Sequence, residues 1–501
     1  MKMKQVFNPY LPLDEYVPDG EPHVFDGRIY IYGSHDRSNG TKYCEQDYVV
    51  WSAPVEDLSA WHCHGVSYRR DQDPSNPDGA LALWAPDVAQ GPDGRYYLYY
   101  CLEFNPEIGV AVSDRPEGPF AFSGHVKYDD SIRGGAVLHE HMPFDPAVLA
   151  DDDGRIYLYY GFSGSNIPPK REELLAQGMT EEEIEAVERR IEKIKFSEYS
   201  MVVELGPDMV TMIGEPKAMV PGQAHAPGTG FEGHSFFEAS SIRKIRGKYY
   251  FVYSSQLSHE LCYAVSDHPD RDFVYGGTII SNGDIGLNGN TRPRGMTGNN
   301  HGGIAEIDGA FYIFYHRQTH GTETSRQGCA EKITVLPDGS IPQVEMTSCG
   351  LNRGPLAGSG AYETNIVCNL ISPTNDGKVN YGESLRDRQP YVYEEPAPVG
   401  GEKALYVANI YDGVALGYKY FDCRGLKTIG FTVRGSGKGV LKVCLEDENG
   451  PVAGEAAVEA DPEAWRRISA DVTIRDGVHA LFFRYEGDGA IQLRGFDLQN
   501  G

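Results

Sequence analysis

FDGRIYIYG at residues 25–33 recurs four more times along this chain, as PDGRYYLYY at 92–100, DDGRIYLYY at 152–160, IRGKYYFVY at 245–253 and IDGAFYIFY at 307–315. Each copy reads as a hairpin. Asp-Gly, present in four of the copies and replaced by Arg-Gly in the fourth, is the favoured pair for a two-residue type I′ turn, because both central residues need positive φ. The alternating aromatic and aliphatic run after it has strand period. The turn glycines stand at 27, 94, 154, 247 and 309, at intervals of 67, 60, 93 and 62 residues. Those are lengths for a four-stranded sheet plus loops, and repetition of such a unit builds propellers. The expectation is an all-β chain opening with a five-bladed β-propeller; a β-sandwich with similar hairpins is the alternative.

The long interval has a visible cause. PPKREELLAQGMTEEEIEAVERRIEKIKF at 168–196 carries a capping-box pair, Thr180 and Glu183, and places Ile184, Val187, Ile191 and Ile194 on one helical face. It reads as a helical hairpin inserted between blades three and four, covering the mouth of the propeller, making a dimer contact or packing on its side.

Composition narrows the function. Forty-five basic against 72 acidic residues give a net charge of -27, which repels nucleic acid and anionic membranes and suits a neutral substrate. No apolar segment follows the two lysines of MKMKQVFNPYLP, and no stretch reaches the roughly 18 apolar residues of a membrane span. Nine cysteines without CxxC or zinc-finger spacing read as free thiols. A cytoplasmic protein is expected, with a homo-oligomer open.

What precedes each turn glycine carries the chemistry. Asp19, Asp87, Asp145, Glu238 and His301 lie 8, 7, 9, 9 and 8 residues upstream of their glycines. In a propeller that strand is the innermost, so the repeat gathers four carboxylates and a histidine around one axis. Like charges in a narrow pocket oppose one another's ionisation and raise some pKa values, which suits acid/base chemistry. Taken singly, each acid reads as well as a solvated loop residue or turn cap. A non-catalytic propeller that binds sugar or protein is the reading from another class.

With PDGEPHVFDGRIYIYGSHD around Asp19, LWAPDVAQ around Asp87, PFDPAVLADDDGRIYLYYG around Asp145 and FFEASSIRKIRG around Glu238, residues 5–345 resemble glycoside hydrolase family 43. The resemblance implies a general base at Asp19, a pKa-adjusting aspartate at Asp145 and a general acid at Glu238. It also implies sugar contacts by Trp84 and Asp87, and a calcium ion or its water shell at His301, with no other cofactor. Arg326 reads as a further donor to sugar hydroxyls or as an exposed strand residue. Two departures stand out: Gly20 follows Asp19 where the family commonly has Pro, leaving Glu21 as a rival base, and Ala-Ser follows Glu238 where Gly-Pro is usual. The implied activity is inverting exo-hydrolysis of xylo- and arabinoxylo-oligosaccharides, as a β-xylosidase with α-L-arabinofuranosidase activity or predominantly the latter.

After about residue 350 the pattern changes through GLNRGPLAGSGAY at 350–362. Short strands spaced by turns predict a β-sandwich over 350–501, set against a propeller domain at 1–349. Its order resembles carbohydrate-binding module family 6. Tyr418, Tyr420 and Trp465 are either sugar-stacking aromatics or core, and a degenerate module packed on the propeller is favoured.

Overall fold

A computed structural model describes residues 5–164, 171–176, 179–191, 196–374, 376–380, 382–396 and 403–501. The chain is all-β apart from short helical segments. The first sheet is β1 (Glu21–Phe25), β2 (Arg28–Tyr32), β3 (Tyr48–Pro54) and β4 (His62–Tyr68), paired in chain order. The second is β5 (Leu83–Gln90), β6 (Tyr96–Leu102), β7 (Ile108–Ser113) and β8 (Ala121–His125). The third joins β9 (Lys127–Tyr128), β10 (Ala147–Ala150), β11 (Ile156–Tyr160), β12 (Tyr199–Leu205), β13 (Thr211–Met212) and β14 (Lys217–Pro221). The fourth is β15 (Phe236–Ile245), β16 (Lys248–Ser255), β17 (Glu260–Ser266) and β18 (Val274–Ser281), and the last β19 (Ile304–Ile307), β20 (Ala310–Gln318) and β21 (Arg326–Ile333).

The leading strands of these sheets touch one another in a closed ring, β1 to β5, β5 to β10, β10 to β15, β15 to β19 and β19 back to β1. Alternation in each repeat explains the closure. Tyr30 and Tyr32 enter an apolar layer with Leu83, Tyr96 and Leu98 of the second sheet, whereas Ile29 and Ile31 on the opposite face meet Ala305 and Phe314 of the last. Tyr97 and Tyr99 likewise pack on Ile156 and Leu158 of the third sheet. Every sheet is thus covered on both faces, which is why the repeat is apolar at consecutive positions. Each large side chain so buried contributes about 2–3 kcal/mol. The tyrosine rings fill the layer, and some of their hydroxyls also find partners: Tyr99 OH donates to Met209 O at 2.7 Å and Tyr159 OH to Pro269 O at 2.8 Å.

The turns differ from expectation in two copies. Asp26-Gly27, Arg246-Gly247 and Asp308-Gly309 have positive φ at both residues, as type I′ requires. At 91–95 and 151–155 only the glycine does, and the loops are longer, closed by Gly91 N–H to Arg95 O and Asp151 N–H to Arg155 O, each at 2.8 Å.

Of the predicted helical insertion, the structure describes α1 (Arg171–Ala176) and α2 (Glu181–Ile191), which contact one another. Glu183 N–H donates to Thr180 Oγ1 at 3.3 Å and Thr180 N–H to Glu183 Oε2 at 2.7 Å, the reciprocal bonds of a capping box. The remainder of 168–196, Ile194 included, and the side chains of Val187 and Ile191 lie outside the described residues.

Residues 356–500 form two further six-stranded sheets. They face each other across Leu416, Tyr418, Phe421, Phe431, Phe483 and Phe496. Tyr418 is therefore core, its hydroxyl 2.7 Å from Thr364 Oγ1. Tyr420 OH donates to Glu345 Oε2 at 2.5 Å, across to the N-terminal part of the chain. Trp465 is covered by the Arg434 guanidinium at 4.5 Å and the Tyr406 ring at 5.4 Å. Lys419, almost wholly buried, pairs with Glu345 at 2.6 Å and Asp284 at 3.5 Å.

Candidate functional site

Each residue singled out by the repeat stands in or just before a leading strand: Asp19 before β1, Asp87 in the middle of β5, Asp145 before β10, Glu238 near the start of β15 and His301 before β19. The backbone there is unusual. Asp19, Asp145 and Ala239 adopt left-handed φ of 56, 45 and 66°. Such conformations cost non-glycine residues about 1–2 kcal/mol each and persist where the surroundings over-determine them, characteristically at functional sites. The pairing of β15 with β16 also shifts register on both sides of Glu238. A bulge of this kind re-aims a side chain out of the ladder.

Asp19 sits in a buried ion network. Arg326 Nη1 donates to Asp19 Oδ1 at 3.0 Å while its Nε and Nη2 form a fork with both oxygens of Asp36, at 2.9 and 3.0 Å. The guanidinium also lies over the Tyr43 ring at 4.6 Å. These donors go to carboxylates rather than to a sugar, and Arg326 is buried rather than an exposed strand residue. His316 Nδ1 lies 3.2 Å from Asp19 N and 3.1 Å from Asp19 Oδ1, and that ring's Nε2 lies 2.9 Å from Asn299 O. Burial alone would raise the Asp19 pKa, but Arg326 and His316 outweigh it and hold the carboxyl far below the usual range.

Asp145 and Glu238 experience the reverse. Burial, Glu238 and Asp19 push Asp145 well up. Burial first, then the charges of Asp19 and Glu323, raise Glu238 to about 8, opposed by Arg326. Asp145 Oδ2 accepts the Ala239 N–H at 3.0 Å and lies 3.6 Å from His301 Nδ1, whereas no hydrogen-bond donor to Glu238 is found among the described residues. Donors favour the charged form, so the proton shared by this neighbouring pair resides on Glu238. One carboxyl kept ionised and another kept protonated are what acid/base catalysis requires.

Asp87 belongs to a different cluster. Fully buried, it accepts from His23 Nε2 at 2.6 Å, from its neighbour Val88 N–H at 2.7 Å and from Val148 N–H at 2.7 Å, leaving little capacity for a sugar hydroxyl. Glu21 is beside it, bound by Arg243 Nη2 at 2.7 Å and Ser241 Oγ at 3.1 Å, and burial raises it to about 8. Its engagement with Arg243 separates it from the Asp19 network, so Asp19 rather than Glu21 has the electrostatic character of a base.

Trp84 opens a line of partly exposed aromatics. Its ring meets Phe104 at 5.0 Å and Phe144 at 5.4 Å, Phe144 meets Phe162 at 5.1 Å, and Phe162 meets Phe237 at 5.1 Å. Phe144 immediately precedes Asp145 and Phe237 precedes Glu238. Apolar faces so disposed beside carboxyl groups suit the stacking of a sugar ring. The helical insertion reaches this wall, with Leu174, Met179 and Ile184 packed against Phe104.

For a cation, His301 offers a buried Nε2 without a partner among the described residues, on a ring kept neutral because burial lowers its pKa to about 4. One imidazole nitrogen fits as a single ligand to an ion otherwise held by water. Glu21, His23 and Asp87 also bring ligand atoms within 4.8 Å of one another. There the Arg243 guanidinium, 2.7 Å from Glu21 and 3.5 Å from His23 Nε2, already supplies the positive charge. His234, Glu260 and Cys262 form the second such group among the described residues.

Sequence reasoning did not reach Asp36, Tyr43, His316, Glu323 or the phenylalanine wall. Asp36 stood in the quoted GSHD run and His316 closes the fifth repeat as YH, so position relative to the repeat was a usable signal for both. Tyr43 and Glu323 lie in loops with no periodic signal.

The sequence profile described as glycosyl hydrolases family 43 matches residues 17–341. A protein of Thermoclostridium stercorarium named xylosidase/arabinosidase is 48% identical over 498 residues, covering 99% of both chains. A xylosidase/arabinosidase of Bacteroides ovatus is 34% identical over 322 residues, 61% of this chain and 87% of its own. Among solved structures, a family 43 enzyme from Xanthomonas citri in complex with xylose superposes with a TM-score of 0.50 at 26% identity, over 68% of this chain and 93% of that one.

Proposed function

Because this chain belongs to glycosyl hydrolases family 43, we propose that it is an inverting exo-glycosidase removing xylose and arabinose units from xylo- and arabinoxylo-oligosaccharides. Asp19 is the base that activates water, Glu238 the acid that protonates the leaving oxygen, and Asp145 the charge that keeps Glu238 protonated. The observation that carries this is the opposed electrostatics of one site, with Asp19 held ionised by Arg326 and Glu238 raised to about 8. Trp84 and the adjoining phenylalanines form the sugar platform. In this reading the ring of sheets is a five-bladed propeller at 1–349 with a helical hairpin between blades three and four. Residues 350–501 are a sandwich of the carbohydrate-binding-module type, turned to packing rather than to polymer capture. The nine free cysteines support a cytoplasmic setting.

Nitrophenol release from the β-D-xylopyranoside and the α-L-arabinofuranoside tests the activity. Turnover of both is expected, the rate ratio naming the preferred sugar; no release from either would remove the hydrolase reading.

We also assign His301 as the one protein contact of a calcium ion that supplies positive charge near the acids. Added calcium is expected to raise the unfolding midpoint of the wild type and not that of His301→Ala, since a ligand at about 100 times its Kd stabilises the native state by about 2.7 kcal/mol. Equal midpoints with calcium and with chelator would dismiss the ion.

A further inference from the structure

The loop from Thr319 to Ser325, between β20 and β21, is gripped from two sides. On one side lies the loop after β2: Thr324 Oγ1 donates to Gly40 O at 2.5 Å, Ser325 Oγ to Arg37 O at 2.7 Å, and Arg326 N–H to Asp36 Oδ2 at 3.0 Å. On the other lie residues 385–394 of the C-terminal sandwich. Leu385 N–H donates to Gly321 O at 2.7 Å and Val392 N–H to Thr319 O at 2.8 Å. Arg386 Nε donates to His320 O at 2.8 Å, and its Nη2 crosses to Asn39 Oδ1 at 2.8 Å, joining the two grips. Tyr16 OH donates to Glu394 Oε2 at 2.7 Å and stands 3.1 Å from His320 Nε2. The approach is close enough to demand glycine: a Cβ at Gly321, whose φ is 76°, would stand 2.8 Å from Arg386 Cγ.

What the grip holds is Glu323. It is buried, its Oε2 accepting from Tyr43 OH at 2.5 Å and its Oε1 from Asn299 N–H at 3.3 Å. Tyr43 in turn lies under Arg326, the residue that binds Asp19. We propose that the C-terminal segment 385–394 is a working part of the active site, holding the 319–325 loop so that the Glu323 carboxylate is kept where its charge acts on Glu238. Glu323 and Arg386 are then positioning residues, one acting on the acid by its charge and the other through the loop. The inference rests on the reading of Glu238 as general acid. The charged groups that bear on Glu238 are Asp19, Asp145, Glu323 and Arg326. Glu323 is the one among them that the sandwich locates.

The test is the pH dependence of kcat/KM on an oligosaccharide. Loss of rate on the basic side follows deprotonation of Glu238, so withdrawing a nearby negative charge lowers the pH at which it occurs. Glu323→Gln is expected to move the basic limb down by about half a pH unit or more, the scale of one neighbouring charge. Arg386→Ala and Glu394→Gln should move it the same way by less, with unfolding midpoints recording any loss of fold separately. A basic limb unchanged from wild type in Glu323→Gln, or unchanged in both grip variants, would overturn the proposal. Glu238→Gln separates the underlying reading: if that variant keeps the wild-type limb, the limb is not Glu238's and the acid assignment fails instead.

Discussion

Glu238→Ala is expected to lower kcat/KM on xylobiose or an arabinoxylo-oligosaccharide by roughly 10²–10⁴-fold, the range a positioned general acid supplies. On an activated aryl glycoside the same change should cost far less, because a nitrophenolate leaves without a proton. The divergence of the two substrates, rather than the size of either loss, identifies the acid, and equal losses would sink the assignment. Folding offers no competing explanation. Glu238 is raised to about 8 by burial and by neighbouring charges and has no hydrogen-bond donor among the described residues, so its removal breaks no hydrogen bond and relieves the cost of an unpartnered buried polar group. The unfolding midpoint of the variant is expected to equal or exceed that of wild type, as is common where a site sacrifices stability for function. In the wild type, activity on oligosaccharides should decline as pH rises through about 8, since the raised group is protonated below that value and loses its proton above it.

Asp19→Asn should reduce activity by a similar 10²–10⁴-fold on activated and unactivated substrates alike, because the attacking water must be deprotonated whatever group departs. That indifference to the leaving group is the signature that separates base from acid. Asn keeps the shape of Asp19 and an acceptor for Arg326, while Asp36 retains its two bonds to the guanidinium. The fold should therefore survive, and a melting curve beside the rate measurement checks it. Activity within tenfold of wild type in a folded Asp19→Asn would transfer the role of base elsewhere.

The repeat made the ring of sheets legible because both faces of every sheet are buried, which writes a local, periodic and apolar signature into each hairpin. The acids were legible for a related reason: a repeated strand brings the same sequence offset to the same place, so Asp19, Asp145 and Glu238 could be aligned without any knowledge of their surroundings. Turn type was less legible. Asp-Gly alone does not say whether the residue before glycine takes positive φ: Asp26 and Asp308 do, and Asp93 and Asp153 do not. What the Ala-Ser departure after Glu238 entails shows only with the backbone in view, where Ala239 bears a left-handed conformation that glycine would adopt at no cost and aims its N–H at Asp145.

By itself, then, the sequence determined the all-β architecture, the repeated hairpins and the set of acidic residues brought toward one axis, since each depends on patterns within a few dozen residues. The tertiary structure alone decided which acids stay charged. Arg326 reaches Asp19 across 307 positions of sequence, Ala239 reaches Asp145 across 94, and Arg386 of the sandwich meets His320 across 66. A carboxyl's proton affinity is set by the donors and charges within a few ångströms of it, and those neighbours are delivered by the closing of the ring and the docking of the second unit, which leave no periodic trace in the chain.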